Sequence, residues 1–379
     1  MSEMIRVLIV EDQAAEQATW KNVIELHNAD PGALRFVTEF AVSLDEADAH
    51  LRDSQYDAAI VDIRLYQAGV AGANADGNAV IKRVCQSGLM VVAAFTGEGT
   101  LVESKTVKVF TKGNAEDGDG TEAVLAWLID QAPLIKAVRS AHALVQNQLA
   151  HLFHGSVWPR WKRWAEKSAD AEIVLPLARH LTSHVHAALL EKQEQRVHPE
   201  EWYFIPPIRA GIRTGDIVRL SETVFEIVVS PRCDLSSKSK VTHILLTKCT
   251  CVALEWDRLV TDVNEKQTAV DSANAGNRPG AEKKLKTAQD GLREFTQHNK
   301  NTNAVHFLPR AWLEDDTEFG PVFVNFDQMR SVKKDSEEGK NLVKQRVAAV
   351  APEFLPSLVE RLGSYLSRIG TPDYSHPDG

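Results

Sequence analysis

Residues 56–65 read Y-D-A-A-I-V-D-I-R-L. Ala58, Ala59, Ile60 and Val61 form an apolar run too short for a helix and closed on both sides by polar residues. Such a run suits a strand buried on both faces of a parallel sheet. Asp62 ends it, which places a carboxylate at the carboxyl edge where open α/β sheets bind their ligands. Working outward, residues 5–10 (I-R-V-L-I-V) repeat the pattern and end on Glu11 and Asp12. Residues 90–95 (M-V-V-A-A-F) end on Thr96, and residues 107–110 end on Thr111 and Lys112. Four strands therefore deliver three acids, a hydroxyl and an amine to one edge.

The spaces between these strands are filled by helical patterns. Residues 16–27 place Trp20, Val23, Ile24 and His27 on one face. Residues 34–41 read as a further strand, and Ser43 with Glu46 three residues on has the spacing of a capping box for a helix over 44–52. A βαβαβ start of this kind implies a right-handed, doubly wound α/β sheet.

This ordered set of strand-end residues resembles the receiver domain of the bacterial response-regulator family over residues 1–130. The resemblance implies a five-stranded, flavodoxin-like parallel sheet. It also implies that Asp62 accepts a phosphoryl group and that Glu11 and Asp12 complete an acidic pocket for Mg²⁺. The backbone carbonyl of Arg64 would be a further metal ligand, Thr96 the switch hydroxyl and Lys112 the phosphoryl-binding lysine. The chemistry agrees: clustered carboxylates repel, a hard divalent cation relieves that repulsion, and a carboxylate can attack a phosphoryl donor. Mg²⁺ and Lys112 would neutralise the transferring group. The alternative is a set of ordinary strand-end acids on a fold that has lost its chemistry. Two departures stand out. Residues 66–76 (Y-Q-A-G-V-A-G-A-N-A-D) delay Gly77, which family members usually reach about half as soon. Only 16 positions separate Thr96 from Lys112, so the helix usually housed there must shrink to a turn or two. Val109 stands where the family often carries a mobile aromatic, and Phe110 is the nearby substitute.

At 379 residues the chain has room for two or three domains, and 44% hydrophobic with 25% charged residues is a globular composition. No run approaches the ~18 apolar residues of a spanning helix, and the N-terminus enters a strand without a signal peptide pattern. A cytoplasmic protein with no membrane partner is expected, its four cysteines being reduced thiols. Of the net charge of −9, residues 1–130 hold 10 Lys+Arg against 21 Asp+Glu, leaving 33 and 31 for the remainder. That split suggests docking inside the molecule and does not by itself point to nucleic acid.

Residues 120–154 read as one long helix. Leu134, Val138, Ala141, Val145, Leu149 and Leu152 approach a heptad seam, either a dimerising coiled coil through 131–154 or a helix packed on its own output region. Residues 157–167 (V-W-P-R-W-K-R-W-A-E-K) interleave Trp158, Trp161 and Trp164 with Arg160, Lys162 and Arg163. Such alternation stacks bases and binds phosphates, but the favoured expectation is that the tryptophans anchor the interdomain core while the cations face water or the acidic receiver. His180, His184 and His186 fall on a helix over 171–192, with metal-like spacing but no H-E-x-x-H signature, so they are expected to be structural. From residue 198 the pattern turns to short strands with Gly, Pro and Asp turns, an α+β small-barrel domain. Two polar helices over 257–303 interrupt it. Cys233-Asp234, in S-P-R-C-D-L (230–235), could pair a nucleophile with an acid. Cys249 and Cys251, with Cys233 and His243, could hold zinc, although buried thiols fit better. The string P-R-C-D-L resembles an element of uncharacterised bacterial small-barrel proteins, some in phage-defence settings. Residues 343–369 read as helix broken at Pro352 and Pro356.

The expected organisation is a receiver at 1–130, a helical stalk at 131–197, a small β-barrel output domain at 198–370 with its insertion at 257–303, and a loose tail at 371–379. The expected function is phosphorylation of Asp62 by a sensor histidine kinase or phosphotransfer protein, relayed to a non-DNA-binding output module with a downstream protein partner. No helix-turn-helix with a basic recognition helix follows residue 130. The alternative is a receiver-gated effector enzyme, hydrolase- or nuclease-like.

Overall fold

A computed structural model describes residues 4–65, 75–97, 99–113, 120–166, 172–191, 197–208, 210–236, 241–297 and 304–367. The chain forms two compact units, Met1–Gln193 and Glu194–Gly379.

In the first unit, β1 (Met4–Val10), β2 (Arg35–Ala41), β3 (Ala58–Val61), β4 (Val91–Thr96) and β5 (Lys108–Thr111) form one all-parallel sheet in the order β2-β1-β3-β4-β5. The two-residue period of a strand sends alternate side chains to opposite layers. Ile5, Val7 and Ile9 join the layer of α1 (Ala14–Asn28) and α4 (Thr121–Asp130), with Trp20, Ile24, Val124 and Leu128. Leu8 and Val10 join the layer of α2 (Leu44–Asp53) and α3 (Ala75–Ser87), with Ala47, Val80, Ile81 and Val84. Both faces are dry, which is why the strands read as continuous apolar runs. Trp20 meets Phe95 edge-on at 5.4 Å between ring centroids. Ser43 caps α2, its hydroxyl accepting from the Glu46 amide, while the Glu46 carboxylate accepts from the Val42 amide at 3.0 Å. Between β4 and β5 the connection contains a single 3-10 turn, Gly99–Leu101.

The single helix predicted over 120–154 is two helices. After α4, Gln131 forms a joint and α5 spans Ala132–Leu152. Pro133 lies in the first turn of α5, where its missing N–H costs nothing; inside a continuous helix it would break the ladder. The heptad seam is also divided: Leu134 and Ala141 are exposed, whereas Val138, Val145, Leu149 and Leu152 are half-buried. A π-helical turn (Phe153–Val157), a 3-10 turn (Trp158–Arg160) and α6 (Trp161–Ala165) lead towards α7 (Val174–Leu190).

The second unit is built on a seven-stranded sheet, order β10-β13-β9-β8-β7-β14-β6. Its strands are β6 (Tyr203–Phe204), β7 (Asp216–Arg219), β8 (Phe225–Val228), β9 (His243–Cys251), β10 (Val305–Leu308), β13 (Val322–Lys333) and β14 (Arg346–Val350), all paired antiparallel. A small hairpin, β11 (Ala311–Trp312) with β12 (Glu318–Phe319), stands apart. Among the described residues no ladder joins β10 to β6, so the sheet is covered on both faces rather than closed by hydrogen bonds. One face carries Ile217, Ile227, Phe319, Val324 and Phe326 against α11 (Leu355–Leu366); the other carries Val218, Val228, Ile244 and Leu246 with Leu342 of α10 (Glu337–Leu342). The long helices α8 (Ala253–Asp271) and α9 (Arg278–Gln297) leave the sheet between β9 and β10. Trp256 and Phe295 seat this hairpin on Phe307 and Phe323, with ring centroids 4.9–5.8 Å apart.

One expectation fails outright. Residues 346–350, read as part of a terminal helix, form β14 between β7 and β6. R-V-A-A-V is too short for its own period to decide, and pairing with strands more than a hundred residues earlier settles it.

Candidate functional site

The parallel ladders continue one residue past the strands and thereby fix the acids. The Glu11 amide donates to the Ala41 carbonyl and the Asp62 amide to the Val10 carbonyl, both at 2.9 Å. On the other side of the rim the Lys112 amide donates to the Thr96 carbonyl at 3.0 Å. These bonds hold Glu11, Asp62, Thr96 and Lys112 at adjacent strand ends, although Lys112 is fifty residues from Asp62 and a hundred and one from Glu11.

Glu11, Asp62 and Thr96 are all buried. The Lys112 ammonium bridges the two acids, 2.5 Å from Glu11 Oε2 and 2.7 Å from Asp62 Oδ2, and lies over the Phe95 ring. The remaining oxygens are engaged locally: Glu11 Oε1 accepts from the Gln13 amide, and Asp62 Oδ1 from the Arg64 amide at 3.1 Å. Gln17 donates its side-chain amide to the Glu11 carbonyl. Burial pushes the Glu11 carboxyl up, and Lys112 and the Gln13 amide only partly reverse this. Burial pulls the Lys112 ammonium down, but its hydrogen bonds to Asp62 and Glu11 outweigh that and hold it above its ordinary range.

Glu11, Asp12 and Asp62 each offer a carboxylate oxygen, all within 4.8 Å of one another. The donor set is oxygen alone, which fits a hard divalent cation and not a thiophilic one. Arg64 adjoins the cluster through its amide. Gly77, at the start of α3, is pressed against the end of β3: a Cβ there would meet the Ile63 Cα at 2.4 Å and the Asp62 carbonyl oxygen at 2.5 Å. Phe110 lies half-buried against Trp127 of α4, ring centroids 5.7 Å apart, and Val109 is exposed. The loop predicted to lie beside the acceptor, residues 66–76, falls largely outside the described residues.

The other sequence candidates do not converge. Among the described residues the rim acids are the only group of three or more His, Cys, Asp or Glu poised to hold a metal, so neither the cysteine set with His243 nor the histidines of α7 forms such a site. Cys249 is buried, its thiol pushed up by desolvation; Cys251, at the end of the same strand, and Cys233, on the turn after β8, are exposed. Cys233 Sγ donates to its neighbour Asp234 (3.6 Å), and Lys334 pins that turn through the Asp234 and Val241 carbonyls. His180 packs against Trp164 and His184. Of the tryptophans of 157–167, Trp158 and Trp161 are exposed and Trp164 is turned inward against His180. Gln17 and Phe95 were not anticipated, since neither spacing nor residue type sets them apart. The same holds for Arg139 of α5, whose guanidinium grips Asp57 through Nε (3.0 Å) and Nη2 (2.5 Å) and also donates to the Met4 carbonyl.

The strand order and the residues at this rim define the first unit as a flavodoxin-like fold of the receiver type. Solved receiver-domain structures match it over the N-terminal third. The CheY-like receiver domain protein of Methanospirillum hungatei JF-1 is 17% identical, covering 36% of this chain and 98% of its own, with a TM-score of 0.27. The signal receiver domain of a LuxO repressor-type protein from Vibrio parahaemolyticus is 18% identical over 36% and 97%, TM-score 0.27. The signal receiver domain of an HD domain-containing protein from Pseudomonas fluorescens Pf-5 is 17% identical over 36% and 99%, TM-score 0.28. The fold assignment rests on topology and strand register rather than on these scores. No family model and no curated protein matches the chain. Among the described residues no helix is long and apolar enough to cross a membrane.

Proposed function

We propose that the chain is a response regulator in which Asp62 accepts a phosphoryl group from a phosphohistidine of a sensor histidine kinase or phosphotransfer protein. The observation that carries this is the Lys112 ammonium bridging Glu11 and Asp62 beside Asp12. An Asp62 carboxylate oxygen attacks phosphorus, the P–N bond to the donor imidazole breaks, and its electron pair returns to the ring. The product is an aspartyl phosphate. Lys112 turns from the carboxylates to the phosphoryl oxygens, and the Thr96 hydroxyl donates to one of them. Mg²⁺ held by Glu11, Asp12, Asp62 and the Arg64 carbonyl would neutralise charge on the transferring group. Burial holds the Glu11 carboxyl up, with a smaller push from the Asp62 charge, and a cation among the three acids would offset the cost of keeping it ionised there.

The proposed path runs from a receiver at 1–130 through a stalk at 131–197 to a non-DNA-binding output module at 198–370 that contacts a downstream protein. A homodimer through 131–154 is part of this reading, supported by the exposed apolar row Leu134, Ala137, Ala141 and Leu144 on α5. Among the described residues no cluster of Cys233 or Asp234 with a histidine favours the effector-enzyme alternative. The test is labelling by acetyl phosphate. We expect a label that needs Mg²⁺ and is absent from Asp62→Asn; full labelling of that variant ends the reading.

A further inference from the structure

The connection between α5 and α7 carries a surface that the phosphoryl site does not use. Within nine residues it presents Phe153, Trp158 and Trp161 at 41, 63 and 46% exposure. The His154 ring stacks on Trp158, 5.8 Å between centroids, and Phe153 meets the same indole edge-on at 5.5 Å, while the indole stays largely exposed. Trp164 is turned inward against His180, and Arg160 lies close enough to that histidine to oppose its charging. These two contacts set residues 160–164 beside the first half of α7, whose opening turn exposes Val174 and Leu175 at 65 and 63%. Arg160, Lys162 and Arg163 are exposed, and among the described residues none of them is ion-paired.

We propose that this surface attaches the chain to an anionic lipid bilayer. Exposed indole rings beside aliphatic side chains are costly in water and sit well at the headgroup boundary. Arginine and lysine stems can lie along that apolar surface while their charged ends reach lipid phosphates. Charge decides the sign of the partner: three exposed cations, Arg160, Lys162 and Arg163, alternate with the tryptophans, whereas the chain as a whole carries −9. An anionic surface therefore attracts this face and repels the remainder, which orients the molecule as well as holding it. Single-stranded nucleic acid would also meet the charges and stack on Trp158 and Trp161. Phe153, the third exposed ring of the segment, adds apolar area that a bilayer buries without needing a base to stack on it, and this favours lipid. Surface attachment needs no spanning helix, so it is compatible with the hydropathy of the chain.

The experiment is co-sedimentation of the full-length chain with vesicles of phosphatidylcholine, alone or mixed with phosphatidylglycerol, independent of any phosphodonor. We expect binding to the mixed vesicles only, weakening as salt rises. A variant with Arg160→Ala, Lys162→Ala and Arg163→Ala should lower the partition coefficient about 100-fold. A second variant, Trp158→Ala with Trp161→Ala, should lower it at least about tenfold. All five positions are exposed, so neither variant threatens folding. No sedimentation with mixed vesicles overturns the proposal, as does binding that survives both variants. Capture of a single-stranded oligothymidylate in place of vesicles, lost in the same variants, overturns it in favour of nucleic acid.

Discussion

Lys112 spends its charge on two buried carboxylates at once, and this makes it the residue whose removal reports most about the rim. Its ammonium is held above the ordinary lysine range, so on the alkaline side the bridge is lost as pH rises through that raised value. On the acid side its Glu11 arm is lost as the raised Glu11 carboxyl protonates. Lys112→Met would leave Glu11 and Asp62 facing each other without compensation. Breaking a buried pair from one side costs about 3–5 kcal/mol, and Lys112 is partly exposed, so we expect about 3 kcal/mol in urea denaturation, with part regained on adding Mg²⁺. A variant as stable as the parent without divalent cation would show that the acids do not strain the fold. The rim residues were legible because each sits where an apolar run stops, and a strand end fixes both position and direction. The role of Trp158 and Trp161 was not legible, because i, i+3 spacing defines a shared face without saying whether another element covers it.

At the scale of elements, the approach of α3 to β3 is governed by Gly77. A methyl group there meets backbone atoms of residues 62 and 63, which cannot swing away as a side chain would. Gly77→Ala should cost about 1–3 kcal/mol through overpacking. It should also slow acetyl phosphate labelling of Asp62, because the relief available is to push the acceptor off its ladder. Unchanged stability and labelling would mean that α3 can slide freely. The α/β order of the first unit followed from apolar runs and the Ser43 cap, which are local signals. β14 did not, since Arg346–Val350 is a strand only because β7 and β6 leave a gap that fits it.

At the scale of the molecule, the proposed dimer rests on α5. Its inward row is spent on the first unit, and a second row with Leu134 and Leu144 at its ends faces solvent. We expect a dimer in sedimentation equilibrium and a monomer for Leu144→Arg. A wild-type chain that stays monomeric at all concentrations tested would remove the dimer from the proposed function. Charge segregation between residues 1–130 and the remainder was plain from the sequence, whereas the second unit's sheet order was not. Its neighbours pair across long intervals, and no short-range pattern encodes them.

Arg139 has one more implication. It fastens α5 to Asp57 and Met4, at the starts of β3 and β1, the two strands whose other ends hold Asp62 and Glu11. An extended chain is almost inextensible, and five residue steps span roughly 16 Å. Asp57 and Asp62 are thus opposite ends of one taut rod. An axial displacement of the acceptor would therefore arrive at α5 through one joint, the Arg139–Asp57 side-chain pair.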